Sequence, residues 1–209
     1  MAEAQRGRRK MKDSMVALKR DRIVDVAADL FYERGFTRTT LDDVAERLGV
    51  TKPFIYHSFG SKTELLAEIC TRGVQAALTE IEQVQALDLP PAETLRRFMP
   101  RYVAAVLRVQ KMIAINIREE KNLEPADAER LAALRQQFMA RMEAILRAGR
   151  ESGEIRVPDP RIAAFTLVGA ASWTTFWYNP GGVFSSDVIA QRMAEVALNL
   201  LRIETPDQA

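Results

Sequence analysis

Residues 39–59, Thr-Thr-Leu-Asp-Asp-Val-Ala-Glu-Arg-Leu-Gly-Val-Thr-Lys-Pro-Phe-Ile-Tyr-His-Ser-Phe, constrain the fold more than any other stretch of the chain. Leu41, Val44, Ala45 and Leu48 recur at i, i+3, i+4 and i+7, so they form one apolar face of a short helix. Thr40 stands where a side-chain cap belongs, and Asp42 and Asp43 fall in the first turn, where the helix dipole favours negative charge. Gly49 sits where a helix ends in the left-handed conformation, and Val50 after it is placed to plug the angle between two helices. Thr51 is positioned to cap a second helix that tolerates Pro53, because a first-turn N–H has no intrahelical partner. Two short helices about a glycine turn make a helix-turn-helix, whose second member can lie in a major groove.

Helical periodicity governs the rest, and the expected fold is all-α with about nine helices. A helix over Val16–Arg34, with Ile23, Val26, Ala27, Leu30 and Phe31 on one face, braces the helix-turn-helix, and Phe36 and Phe59 complete a small core. Ser61 caps a fourth helix striped with Leu65, Leu66, Ile69, Cys70, Val74, Ala77 and Ile81, long enough to leave that core and act as a lever. Leu89-Pro90-Pro91 breaks the pattern; Pro100 then predicts a kink or boundary within the next helix, followed by segments over Lys111–Asn122 and from Pro125 to Gly153. The arginines 130, 135, 141, 147 and 150 on that long helix read as a solvated face. The expected organisation is a basic flexible arm at 1–15, a three-helix DNA-binding domain at 16–62, and a larger helical ligand-binding and dimerisation domain at 63–209, for which 47% hydrophobic residues supply the core.

The net charge of +2 conceals an asymmetry, since residues 1–62 carry 13 Lys and Arg against 9 Asp and Glu while the remainder carries 17 against 19. The positive excess at the front is the footprint of a nucleic-acid partner. Arg6, Arg8, Arg9, Lys10 and Lys12 lie on a non-amphipathic segment, either an arm for phosphates and the minor groove or a solvated tail. No apolar run reaches the roughly 18 residues of a membrane span, and the N-terminus is too charged for a signal peptide, so a cytoplasmic protein is expected. The single cysteine, Cys70, allows no intrachain disulfide and reads as a buried small hydrophobe. The single histidine excludes multi-histidine metal sites, and there is no phosphate-cradling glycine loop, no G-x-S-x-G elbow and no strand pattern to carry either. Glu119 and Glu120 are adjacent on a helix and diverge by about 100°, so they cannot face one substrate together. No enzyme chemistry and no cofactor is expected.

Gly35-Phe36, Thr40, Val44-Ala45, Leu48-Gly49-Val50-Thr51, Tyr56, Phe59 and Ser61-Lys62 together resemble the DNA-binding domain of the tetracycline-repressor (TetR/AcrR) family, over roughly residues 15–66. Pro53 departs from a common glycine and Ser58 from a common aromatic or histidine. Thr51, Lys52, Pro53, Phe54 and His57 point outward from the second helix as candidates for groove contacts, with Phe54 suited to a thymine methyl. Thr39, Thr40, Tyr56 and Lys62 are assigned to phosphates by the resemblance and by the reach of hydroxyl, phenol and ammonium groups at helix ends; Tyr56 packing on the first helix is the alternative. The resemblance implies a repressor acting on a double-stranded operator as a homodimer. The helix after Asp159-Pro160 is apolar all round, through Ile162, Phe165, Leu167, Val168, Trp173, Phe176 and Trp177. With a final helix from Asp187 to Arg202 it forms either a four-helix dimer face or two ordinary core helices.

Phe98, Val106, Met112, Ile115, Phe138, Trp173, Phe176 and Trp177 lie on helices expected to surround one interior, as core or as the wall of an apolar pocket. Trp173-Thr174-Thr175-Phe176-Trp177-Tyr178-Asn179-Pro180-Gly181-Gly182 resembles the tryptophan-threonine-x-x-tryptophan-tyrosine-x-proline-x-glycine pattern of the TetR-type subfamily that senses acyl-coenzyme A esters. That resemblance implies an acyl chain in the interior and basic groups, among Arg96, Arg97, Arg101 and Arg118, meeting the nucleotide and pyrophosphate. A free lipophilic effector would need no basic mouth. The competing class is a helical adaptor or nucleoid-associated protein without a small-molecule effector, which a solidly packed interior would favour.

Overall fold

The computed structural model describes the backbone of residues 2–203 and the side chains of residues 18–203. Among the described residues every regular element is helical: α1 (Ala2–Arg34), α2 (Leu41–Leu48), α3 (Lys52–Ser58), α4 (Lys62–Gln85), α5 (Pro91–Arg108), α6 (Gln110–Glu119), α7 (Pro125–Glu151), α8 (Pro160–Trp177) and α9 (Ser186–Leu200), with a 3-10 turn over Glu120–Asn122. The all-α expectation holds. One expected local feature differs. The helix continues from Ala2, where an arm through residue 15 was expected; Ala, Gln, Arg, Lys and Met are strong helix formers, and Gly7 alone does not interrupt them. The proposed contacts of Arg6, Arg8, Arg9, Lys10 and Lys12 lie outside the described side chains. α5 runs through Pro100, so of the kink and the boundary expected there the boundary does not occur.

The front core is built by α1 to α3 and the first half of α4, with Phe31 and Phe36 in edge-to-face contact at 5.3 Å and Ile55 and Phe59 fully enclosed. Cys70 lies in it, and burial pushes its thiol up to about 12, so it stays protonated and inert near neutrality. The core is not closed by the front helices alone: Ile115 of α6 and Leu131 of α7 complete it. The rear core collects the second half of α4 with α5, α7, α8 and α9. There Phe98 stacks on Tyr102 at 5.2 Å and Phe138 tilts against both rings, contacts worth about 0.5–1.5 kcal/mol each beyond the area they bury. α4 belongs to both cores, its Leu65, Leu66 and Ile69 in the first and its Leu78, Ile81 and Val84 in the second.

Candidate nucleic-acid interface and effector cavity

The Thr40 cap forms as a reciprocal box: Asp43 N–H donates to the Thr40 hydroxyl at 3.1 Å, and the Thr40 backbone N–H donates to Asp43 Oδ2 at 2.7 Å. Gly49 ends α2 at φ 67°, the left-handed geometry that lets the chain turn into α3. Thr51 occupies the cap position of α3 but its hydroxyl makes no cap bond. The reason is Pro53, which has no N–H to offer, while the N–H of Phe54 goes to the Thr51 carbonyl at 3.0 Å. The Thr51 hydroxyl is thereby left facing outward with Lys52, Pro53 and His57, all exposed.

Six of the nine residues expected at DNA are exposed: Thr40, Thr51, Lys52, Pro53, Tyr56 and His57. Tyr56 is 50% exposed, half open to solvent and half covered. Lys52 pairs with Asp42 at 2.6 Å; that hydrogen bond raises its pKa further, so it is a permanent surface cation. Thr39, Thr40, Lys62 and Phe54 make contacts within the front domain. Thr39 is buried and its hydroxyl donates within the front domain, toward the carbonyls of Gly35 at 3.0 Å and Leu30 at 3.4 Å. Thr40 gives both its hydroxyl hydrogen and its N–H to Asp43, leaving no donor for a phosphate; the same bonds hold the Asp43 carboxyl below its ordinary range. Lys62 places its ammonium over the Phe36 ring at 4.3 Å and donates to the carbonyls of Phe36, Thr37 and Thr39, so it ties α4 to the α1–α2 loop. Phe54 is half-buried with the Lys19 ammonium 5.8 Å from its ring, since its place beside Ile55 turns it toward α1. Lys19 and Arg22, three apart on α1, flank the groove beside Phe54; sequence reasoning missed them, although their spacing puts both on one face.

Behind the front domain lies a cavity of about 510 Å3 between α4, α5, α6, α7 and α8, with mainly apolar walls. Of the ten residues expected to line it, Val106 and Phe138 do. Phe98 is packed behind Tyr102, and Met112 and Ile115 lie toward the front core, Ile115 about 160° round α6 from Ile113 and Ile117 and Met112 on the border beside Asn116. Arg101 pairs with Glu80 at 2.8 Å on the outside, and Arg118 lies over the Tyr32 ring at 5.2 Å. Trp173, Phe176 and Trp177 are on the surface, Trp173 at 63% exposure with its ring 4.6 Å from that of Phe176. Arg135 adds to an expectation: its side chain is 38% exposed, as a solvated face requires, and it also lines the cavity. Its position four residues after Leu131 and three before Phe138, on the apolar stripe, was the available signal. Asn116 was likewise a polar residue on an apolar face.

α6 connects the two sites. Ile113, Asn116 and Ile117 line the cavity, while Met112 and Ile115 pack into the front core one face away. Its ends are tied to the front domain by the Lys111–Asp29 ion pair and by the N–H of Phe36, which donates to Glu119 Oε1 at 3.4 Å. Its start is held to the rear by Gln110, whose amide donates to the carbonyls of Tyr178 at 2.9 Å and Thr175 at 3.3 Å. α6 thus contacts both the front core and the cavity, as α4 does.

Two family models match the chain: bacterial regulatory proteins of the tetR family over residues 23–69, and the tetracyclin repressor-like C-terminal domain over residues 88–201. The HTH-type transcriptional repressor KstR2 of Rhodococcus jostii (strain RHA1) is 27% identical over 183 residues, spanning 87% of this chain and 90% of that protein. Among solved structures, the TetR family regulator PfmR from Thermus thermophilus superposes with a TM-score of 0.77 at 30% identity, over 88% of this chain and 99% of the other. AibR, in complex with isovaleryl coenzyme A and operator DNA, superposes with a TM-score of 0.72 at 27% identity, over 85% and 96%. With a helix-turn-helix in front, a helical body behind and both halves matched in order, the chain belongs to the tetR family of bacterial regulatory proteins.

Proposed function

We propose that this regulator is a homodimeric repressor, released from its operator when an apolar effector of the acyl-coenzyme A type enters the rear cavity. The observation that carries the reading is α6, with one face in the cavity wall and the other in the core that supports α3. A ligand that fits only one placement of α6 and α4 would shift the population toward it and change the separation of the two recognition helices in a dimer. A cavity of this size supports a sensor over an adaptor with a solid interior. It suits an acyl group; the coenzyme would extend outward past Ile117 and Phe165, the exposed residues of the lining. The AibR complex with isovaleryl coenzyme A and operator DNA supports the same effector class. Dimerisation through α8 and α9 is supported by the apolar side chains they leave in solvent, among them Ile162, Trp173, Trp177, Val196 and Leu200. At the operator, Thr51, Lys52, Pro53 and His57 would face the groove and Tyr56 the phosphates.

Genome-wide selection of bound DNA supplies the operator. Titrating the operator-bound protein with a panel of acyl-coenzyme A esters and the matching free acids then tests the effector. Release by esters of one acyl class and not by their acids is expected; equal release by the acids, or release by neither set, overturns the coenzyme A assignment.

A further inference from the structure

The cavity has a polar end that its apolar walls do not explain. Arg135 of α7 is held bidentately by Glu120, Nη1 to Oε1 at 2.7 Å and Nη2 to Oε2 at 2.8 Å. Its Nη2 also donates to Asn116 Oδ1 at 2.7 Å. All three residues line the cavity. The hydrogen bonds from Arg135 hold the Glu120 carboxyl below its ordinary range against the opposing effect of burial, so both partners are ionised and the pair is neutral as a unit. Asn116 is buried, and with its oxygen engaged by Arg135 its Nδ2 group has no acceptor among the described residues.

We propose that Arg135, Glu120 and Asn116 select an effector whose cavity-bound part carries a neutral carbonyl, as in a thioester, ester or ketone, and reject the corresponding free carboxylate. This rests on the cavity being the effector site and adds the chemistry of its polar end. A carbonyl oxygen accepts from Asn116 Nδ2–H and leaves the ion pair intact. A carboxylate brings a second anion to a guanidinium already neutralised, and it must either lie beside Glu120, where like charges repel at close range, or displace it and leave that carboxylate without its partner. The arrangement therefore discriminates by charge at the acyl end, independently of anything outside the mouth.

Direct calorimetric binding to the intact protein without DNA tests this, with octanoate, decanoate and cyclohexanecarboxylate against their methyl esters and matching methyl ketones. Wild-type protein is expected to bind the neutral compound of each pair about tenfold or more tightly than the acid, or roughly 1.4 kcal/mol. Glu120→Gln keeps an acceptor for Arg135 but removes the charge, so the acids gain and the preference narrows or inverts. Arg135→Gln works in the opposite direction, leaving Glu120 unpaired and widening the gap, so the proposal stays testable should either variant fold poorly. Arg101→Gln, on the outer surface, leaves the ranking unchanged. Equal binding of acids and neutral partners by the wild type, or a ranking that neither cavity variant moves, overturns the proposal while leaving the cavity as the effector site. Binding of none of the compounds overturns the cavity reading and this proposal together.

Discussion

The two cores of this molecule solve opposite problems. The front core is completed by Ile115 and Leu131 from the rear helices, and the hollow of about 360 Å3 beside Phe54 lies at its edge. The rear core leaves a cavity of about 510 Å3 and a run of large apolar side chains in solvent. A helix that must enter a groove in one orientation needs a support without alternatives, because close packing transmits displacement rather than absorbing it. A body that admits a ligand and a second subunit needs unfilled volume and unburied apolar surface, and gives up stability to have them. The seam between them is polar as well as apolar: Arg72 pairs with Asp21 at 2.8 Å and Lys111 with Asp29.

Four measurements would sharpen or break that contrast. The largest effect is expected from Ile115→Ala, which opens a gap in the filled core and should cost about 2–5 kcal/mol in urea unfolding. Ile113→Ala, two residues away and facing the existing cavity, should cost distinctly less; equal losses would mean that the front core is no better filled than the rear. Trp173→Arg places a charge on the exposed face of α8 and should weaken self-association by at least about 2 kcal/mol, roughly thirtyfold. Sedimentation would show it, and an unchanged oligomeric state would remove α8 from the dimer face.

Lys62→Ala comes next. Losing a cation that three carbonyls accept should lower front-domain stability by about 1–3 kcal/mol, while the slope of log operator affinity against log salt stays as in the wild type. A slope shallower by about one unit would return Lys62 to the phosphate contacts. Lys52→Ala is the converse and the mildest: melting behaviour should hardly move, since its pair with Asp42 is on the surface, whereas the salt slope should fall by about one unit if a phosphate takes the place of Asp42 on binding. An unchanged slope for Lys52→Ala would leave α3 without a cationic anchor.

Much of this was written locally. The Thr40, Ser61 and Asp159 caps, the left-handed Gly49 and the apolar stripes of α1, α2 and α4 follow from spacing alone, because caps and helix faces involve residues three or four apart. Family membership was legible for the same reason, in motifs of fixed spacing over residues 35–62. What could not be read there is which partner a side chain meets across the fold. Thr39, Lys62 and Arg101 carry donors that suit an anion equally well, and only tertiary structure assigns the first two to carbonyls and the third to Glu80. Arg135 looked like a member of a charged face until α6 brought Glu120 and Asn116 to it. The residues at 173, 176 and 177 have the composition of a pocket wall and lie on the outside. Helical periodicity determines that a face is apolar; whether that face meets a cavity, a core or a second chain depends on how helices cross, through contacts between residues far apart in sequence.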